Sequence, residues 1–335
     1  MDNNRQTYDP FEGIASYREI EKIASRSPFV IKTANEWTAE AAALPNPVSL
    51  WKNMWFEGEV CCLFADSNVG KSILAVQICD EISRREPVAY FDFEMDFKPF
   101  QMRYTDDDTG EIYRFSPNFH RIQLGQDEVF SADIDDVIDN IEKAAVECGA
   151  RVIVIDNISW ICNRSESGDA AGILMQRLVQ LKKRSRCSIL VLAHTPKRNI
   201  SAPLNQNSLA GSKKIANFLD SIFAIGVSKK NRPQGRYIKQ IKVRSCEMLY
   251  GEDNIIEANL QKDGCLLHFV IVGYGTEREN LDEPDAEDIE RDNSQREIAD
   301  LIEQGVSYRN IAEQTGKSKD AICRIAQKIK KLKAE

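Results

Sequence analysis

Apolar and polar positions along this chain alternate between two rhythms. Short, nearly continuous apolar runs (VCCLFA, VAYFDFEM, RVIVIDNIS, SILVLAH, SIFAIGV and YIKQIKV) have the character of strands buried on both faces. Between them lie amphipathic stretches such as KSILAVQICDEISRR and AAGILMQRLVQLKKRS, whose apolar residues recur at helical spacing. Strand and helix in alternation predict an α/β domain with a mainly parallel sheet and helices on both sides, over residues 48–275. TDDDTGEIY predicts a surface hairpin or loop. Residues 1–47 read as a polar arm with short helices in YREIEKIAS and NEWTAEAAAL.

A different pattern closes the chain. Ile298, Leu301 and Ile302 make one apolar helical face, which Gly305 ends. Ser307 is placed to cap a second helix carrying Ile311 and Ala312. Gly316 makes the turn, and Ser318 caps a third helix with Ile322, Ile325 and Ile329 on one face. Residues 294–335 are therefore expected to form a small all-α domain.

Composition separates these parts further. The chain has 335 residues, 42% hydrophobic and 29% charged, with a formal net charge of −8. That length predicts one large domain with a small one. The charge argues against a broadly basic protein that coats nucleic acid. It is uneven: Glu277 to Asp292 holds nine acidic and two basic residues, whereas Ser294 to Glu335 holds nine basic and six acidic. Residues 276–293, acidic and poor in apolar residues, read as a flexible linker ahead of a basic tail. No apolar run reaches the roughly 20 residues that span a bilayer, and the polar N-terminus does not read as a signal peptide. The nine cysteines are scattered, with Cys61, Cys62, Cys79 and Cys187 inside apolar segments, which fits a reducing cytoplasm.

The chemistry begins at ADSNVGKS. Strand VCCLFA, a tight loop and a helix starting at Lys71 are the setting of a phosphate-binding loop. Backbone N–H groups cradle phosphates, Gly70 permits close approach, Lys71 supplies a cation, and Ser72 offers a hydroxyl to Mg²⁺. The ATP-contacting stretch is Ala65, Asp66, Ser67, Asn68, Val69, Gly70, Lys71, Ser72 and Ile73. Ala65 stands where the pattern has glycine; it is tolerable if its φ stays negative. Asp156, at the end of an apolar strand, is placed to hold the Mg²⁺ shell opposite Ser72. Glu94 is placed to orient and deprotonate the attacking water, with Asp92 and Asp96 as lesser candidates. His194 ends a further strand, where it could sense the γ-phosphate or serve only structurally. Arg236, Lys242 and Arg244 are too many cations for a buried strand, so one face of it is expected to meet solvent or a partner. Lys242 and Arg244, two apart, would share that face, either reaching a neighbour's γ-phosphate or protecting an exposed sheet edge.

Taken in order, ADSNVGKS, FDFEM, VIVIDNIS, VLAHT and the late GSKKIANFLDSIFAI and IKVRS segments resemble the RecA-like ATPases, especially the hexameric helicase branch of DnaB and plasmid RepA proteins. The resemblance covers roughly Leu50 to Gly275. It implies that Glu94 activates water and that Lys242 and Arg244 act in trans, within a hexameric ring or filament. It also implies two pore-facing loops, residues 163–171 and 196–214, carrying Arg164, Lys197, Arg198, Lys213 and Lys214. Departures are Ala65 and the short stretch before the core, which leaves no room for the N-terminal domain of replicative DnaB helicases. The tail resembles a resolvase-like helix-turn-helix, a DNA-binding domain. Lys317, Ser318, Lys319, Asp320, Arg324 and Lys328 would face DNA on its third helix. The expectation is an ATP-hydrolysing, DNA-binding helicase or translocase. An ATP-switched regulator and a recombination mediator remain open beside it.

Overall fold

The structure is a computed structural model that describes residues 29–125, 133–164, 169–196, 199–209, 215–283 and 286–333. The chain divides into two units, Met1–Asn46 and Pro47–Glu335. In the first, helix α1 (Ala34–Ala42) starts at a capping box. The Thr33 hydroxyl accepts from the Glu36 N–H, and the Glu36 carboxylate accepts from the Thr33 N–H. No residue of α1 is buried. YREIEKIAS lies outside the described residues.

The second unit opens with a small antiparallel pair, β1 (Ser49–Trp51) and β2 (Trp55–Phe56). Among the described residues the main sheet has nine strands. Its parallel part is β3 (Val60–Ala65), β4 (Val88–Asp92), β5 (Phe119–Ile122), β6 (Val152–Asp156), β7 (Ser188–His194) and β8 (Ser221–Val227), in the order β8-β3-β7-β6-β4-β5. Beyond β8 the sheet continues antiparallel through β9 (Gly235–Lys242), β10 (Ile255–Asp263) and β11 (Leu266–Gly275). The α/β core with a mainly parallel sheet is as expected.

The two faces of β3 show why the apolar runs are continuous. Val60, Cys62 and Phe64 join the cluster that includes helices α4 (Ile134–Glu147) and α6 (Ala170–Ser185). Cys61, Leu63 and Ala65 join the cluster on the other face, with helix α2 (Lys71–Ser83). Both faces are covered, so neither set of alternate positions can be polar.

Two expectations change. First, β9 is an inner strand between β8 and β10, not an edge, and it buries Arg236 and Lys239 while Lys242 is half-buried. Arg236 binds main-chain carbonyls, and Lys239 pairs with the buried Glu277. Arg244 lies past the strand end. Second, the acidic stretch is not a plain linker. Thr276 caps a short helix, α7 (Glu277–Asn280), whose Glu277 and Asn280 are buried in the core. Glu277 accepts from Lys239, the Tyr237 hydroxyl and the Leu204 N–H. These partners lie far away in sequence, so local charge and composition alone give the stretch the character of a linker.

Helix α8 (Ala286–Glu303) leads into α9 (Tyr308–Thr315) and α10 (Lys319–Lys333). Ile298, Ile311 and Ile322 form their own core, ringed by Leu301, Ile302, Ala312 and Ile325. Ser307 accepts from the Asn310 N–H, and Ser318 from the Ala321 N–H. Gly305 and Gly316 take positive φ at the two helix ends, as the caps require.

Candidate functional site

β3 delivers the chain into the phosphate loop at Ala65. That residue is buried and pairs in register with His194 of β7 and Ile225 of β8. Its φ is negative, so alanine stands there without strain, as the sequence required. The loop then uses positive φ at Asn68 (62°) and Gly70 (112°) to turn into α2. A side chain at Gly70 has no room: a Cβ would lie 2.9 Å from the Phe269 ring. The Asp66 carboxylate accepts from the Thr195 hydroxyl, which ties the loop to the end of β7.

A cavity of about 380 Å³ opens over this loop, lined by Ser67, Asn68, Gly70, Lys71, Ser72, Ile73, Glu94, Met95, Arg103 and His194. Residues from the ends of β4 and β7 thus meet the loop. Val69 is buried beneath it. Lys71 is also buried, donating to the Ala65 and Asp66 carbonyls and to His194 Nδ1 at 3.1 Å. Burial lowers its pKa, against the opposite pull of Asp156, Glu94 and Asp66.

Glu94 sits two residues past the end of β4. The Asp92 carboxylate accepts from the Glu94 and Met95 N–H groups and so shapes the turn that presents Glu94. Asp92 also pairs with Arg121 at 2.7 Å, which leaves it a structural acid. Asp96 is the exposed cap residue of α3 (Phe97–Arg103). Neither it nor Asp92 lines the cavity; Glu94 does.

The Glu94 carboxylate accepts from the Asn157 amide and lies 3.3 Å from His194 Nε2. Lys71 is only a donor, so in the neutral ring His194 Nδ1 accepts and Nε2 carries the hydrogen, which makes the 3.1 Å approach of Nε2 to the Asn157 Nδ2 a contact between two donors and not a hydrogen bond. Asn157 is likewise oriented, because its Oδ1 accepts from the N–H of Trp160 in helix α5 (Ile158–Arg164). Two donors therefore converge on one Glu94 oxygen and aim the carboxylate. Asn157 escaped the sequence reading. Its signal was a polar residue directly after the strand-ending Asp156, with which it shares a cis peptide bond. Arg103 was also missed.

Asp156 is 1% exposed and accepts from the Tyr90 hydroxyl at 2.6 Å. Its other oxygen, Oδ1, is buried with no hydrogen-bond partner among the described residues. Burial pushes its pKa up to about 6, although Ser72 and Tyr90 pull it down. A buried acceptor left open beside Ser72 fits a hard cation shell built from a hydroxyl and a carboxylate, directly or through water. Ser72 and Asp156 are therefore suited to hold Mg²⁺, which would neutralise charge on a bound triphosphate.

The late cations lie elsewhere. Lys242 donates to the Ala216 and Leu219 carbonyls, and Arg244 pairs with Asp220. Neither lines the cavity. The expected pore-loop cations Lys197, Arg198, Lys213 and Lys214, and the Arg164 side chain, lie outside the described residues. In the tail Lys317, Ser318, Lys319, Asp320 and Arg324 are exposed. The Lys328 side chain is outside the described set.

A protein-family model described as an AAA domain matches residues 25–199. No curated protein matches the chain. Among solved structures, a KaiC-like protein from the hyperthermophilic archaeon Pyrococcus horikoshii OT3 is 14% identical, with 64% of this chain and 91% of that chain covered and a TM-score of 0.46. The AAA domain match spans more than half of the 335 residues and includes the phosphate loop, Glu94, Asp156 and His194; the chain belongs to the AAA domain family.

Proposed function

We propose that this protein hydrolyses ATP and couples turnover to DNA, as an oligomeric helicase or translocase. The observation that carries the chemistry is the convergence of Asn157 and His194 on Glu94, across the cavity from Lys71 and Ser72. In this reading the Glu94 carboxylate takes a proton from water. The water oxygen attacks the γ-phosphorus, and the bond to the departing ADP oxygen breaks. Lys71 balances phosphate charge. His194, which touches both Lys71 and Glu94, reports the γ-phosphate to the chain that follows β7.

The DNA part of the reading is supported by the tail. Its apolar residues face inward, while Lys317, Lys319 and Arg324 face outward around a capped helix start. Assembly of copies into a ring or filament is supported by Arg244, whose side chain is 67% exposed beyond the inner sheet. The same capped helix also favours a second reading: a regulator whose tail finds one duplex site while nucleotide state controls assembly.

Steady-state ATP hydrolysis with no DNA, single-stranded DNA and duplex DNA, with Lys71→Ala as control, separates the two. Strong stimulation by single strands is expected of the motor. A slow rate indifferent to DNA, with protection of one defined sequence, replaces the motor with the switch. Turnover no higher than that of Lys71→Ala rejects hydrolysis altogether. Assembly has its own test. Mixed Lys71→Ala and Arg244→Ala subunits should recover activity that neither has alone, and confirmed mixed oligomers without recovery refute completion of the site in trans.

A further inference from the structure

Arg236 lies on the inner strand β9 and is 9% exposed. Its guanidinium donates to the Val69 carbonyl at 2.9 Å, the Pro233 carbonyl at 2.7 Å and the Gly235 carbonyl at 2.9 Å. Among the described residues no carboxylate pairs with it. A buried charge left without a counter-charge is costly, and burial indeed draws the Arg236 pKa down. Partial negative charge on three carbonyls offsets only part of that cost. The position calls for an anion, and the hydrogen bond to Val69 sets it against the phosphate loop.

The contact with Val69 shows how the charge reaches that loop. Val69 and Gly70 are joined by a trans peptide, so the Gly70 N–H points opposite to the Val69 C=O. Holding that carbonyl back toward β9 turns the Gly70 amide the other way. The same sheet extension holds the loop at a second point. The Phe269 ring of β11 closes the space beside Gly70. The Phe269 main chain exchanges two hydrogen bonds with the Gln77 side chain of α2, at 2.8 and 3.2 Å. The antiparallel strands thus brace both the loop and the helix it starts.

We infer that Arg236 is a positioning residue for the phosphate loop: from behind Val69 it orients the Gly70 amide for phosphate and adds an unbalanced positive charge to the anion site. The inference rests on the proposed nucleotide site. It gives the antiparallel end of the sheet a part in nucleotide affinity, although no side chain there lines the cavity.

The test measures ADP binding and ATP turnover in the full-length chain, for wild type, Arg236→Met and Arg236→Lys. Loss of one charge-assisted hydrogen bond predicts that Arg236→Met weakens ADP binding and raises KM for ATP by about 10- to 100-fold. The kcat should stay within about threefold, because the hydrolytic groups are untouched. Arg236→Lys keeps the charge without the forked clamp and should fall between the two. A purely structural brace would instead lower the melting temperature and leave the ADP affinity of the folded protein unchanged, which overturns the inference. Should Arg236→Met not fold, a Kd for ADP in Arg236→Lys equal to wild type overturns it as well. Wild-type protein that binds no ADP refutes the nucleotide site itself, a failure distinct from a bound wild type with unaffected variants.

Discussion

Asp156 carries a cost that should be visible in stability before any nucleotide is added. Its pKa rises from 3.8 to about 6 because the carboxyl is buried. A rise of about two units corresponds to about 3 kcal/mol. The sign follows from proton binding. Between pH 3.8 and about 6 the folded protein holds this proton more tightly than the unfolded chain does. Stability from this group is therefore greatest at low pH and falls as pH rises through that window, with the full cost present above it. Asp156→Asn removes the charge and keeps an oxygen for the Tyr90 hydroxyl, giving back about 1 kcal/mol of charge-assisted bonding. The variant should be more stable than wild type by about 1–2 kcal/mol at pH 7.5, and by close to nothing near pH 4. Urea unfolding of both proteins at both pH values, free of Mg²⁺ and nucleotide, measures this difference with the other titrating groups cancelling. Mg²⁺ and ADP together should then stabilise wild type and have much less effect on the variant. A gain of equal size at both pH values, or a loss at pH 7.5, would refute the reasoning.

Glu94→Gln should lower ATP turnover by about 10²- to 10⁴-fold with ADP affinity preserved, since only proton removal is lost; turnover near wild type would move the base elsewhere. Gly70→Ala should abolish nucleotide-dependent thermal stabilisation, because its Cβ meets the Phe269 ring and its φ of 112° is strained for alanine. Adding Phe269→Ala should not restore it, since the φ strain remains; full recovery would show that sterics alone govern the position. Lys317→Ala and Arg324→Ala should each reduce the slope of log affinity against log salt for duplex DNA by about 1, with DNA-free ATP turnover unchanged. An unchanged slope for both would remove these residues from the DNA-facing surface.

The legible parts of this fold were those in which local pattern and buried environment agree. β3, β4, β6, β7 and β8 announced themselves as apolar runs because both of their faces are covered. The tail helices were marked by serine caps and glycine ends, which act within a few residues of sequence. β10 and β11 were harder to see because many of their side chains are only half-buried and mixed in polarity. The site divides in the same way. Lys71, Ser72, Glu94 and Asp156 follow from strand ends and loop spacing. That Asn157 and His194 converge on Glu94, or that Arg121 neutralises Asp92, depends on pairings between distant strands.

The late cations show where charge on a strand misleads. A cation in the sequence carries no record of whether its partner is water, a carboxylate or a carbonyl. Arg236 has main-chain partners, one of them in the phosphate loop, and Lys239 has a main-chain and a carboxylate partner inside the core. Lys242 and Arg244 then differ from each other in a way that bears on a role in trans. Lys242 donates to two main-chain carbonyls, Ala216 and Leu219, and burial lowers its pKa. Withdrawing it would leave both carbonyls without that donor. Arg244 is mostly exposed, and its pair with Asp220 is of the kind worth about 0–1 kcal/mol. Asp220 would keep Lys182 at 2.7 Å and the Val60 N–H at 2.9 Å if Arg244 left. Of the two cations, Arg244 is the one whose redirection in the proposed trans role costs little, whereas moving Lys242 breaks two hydrogen bonds.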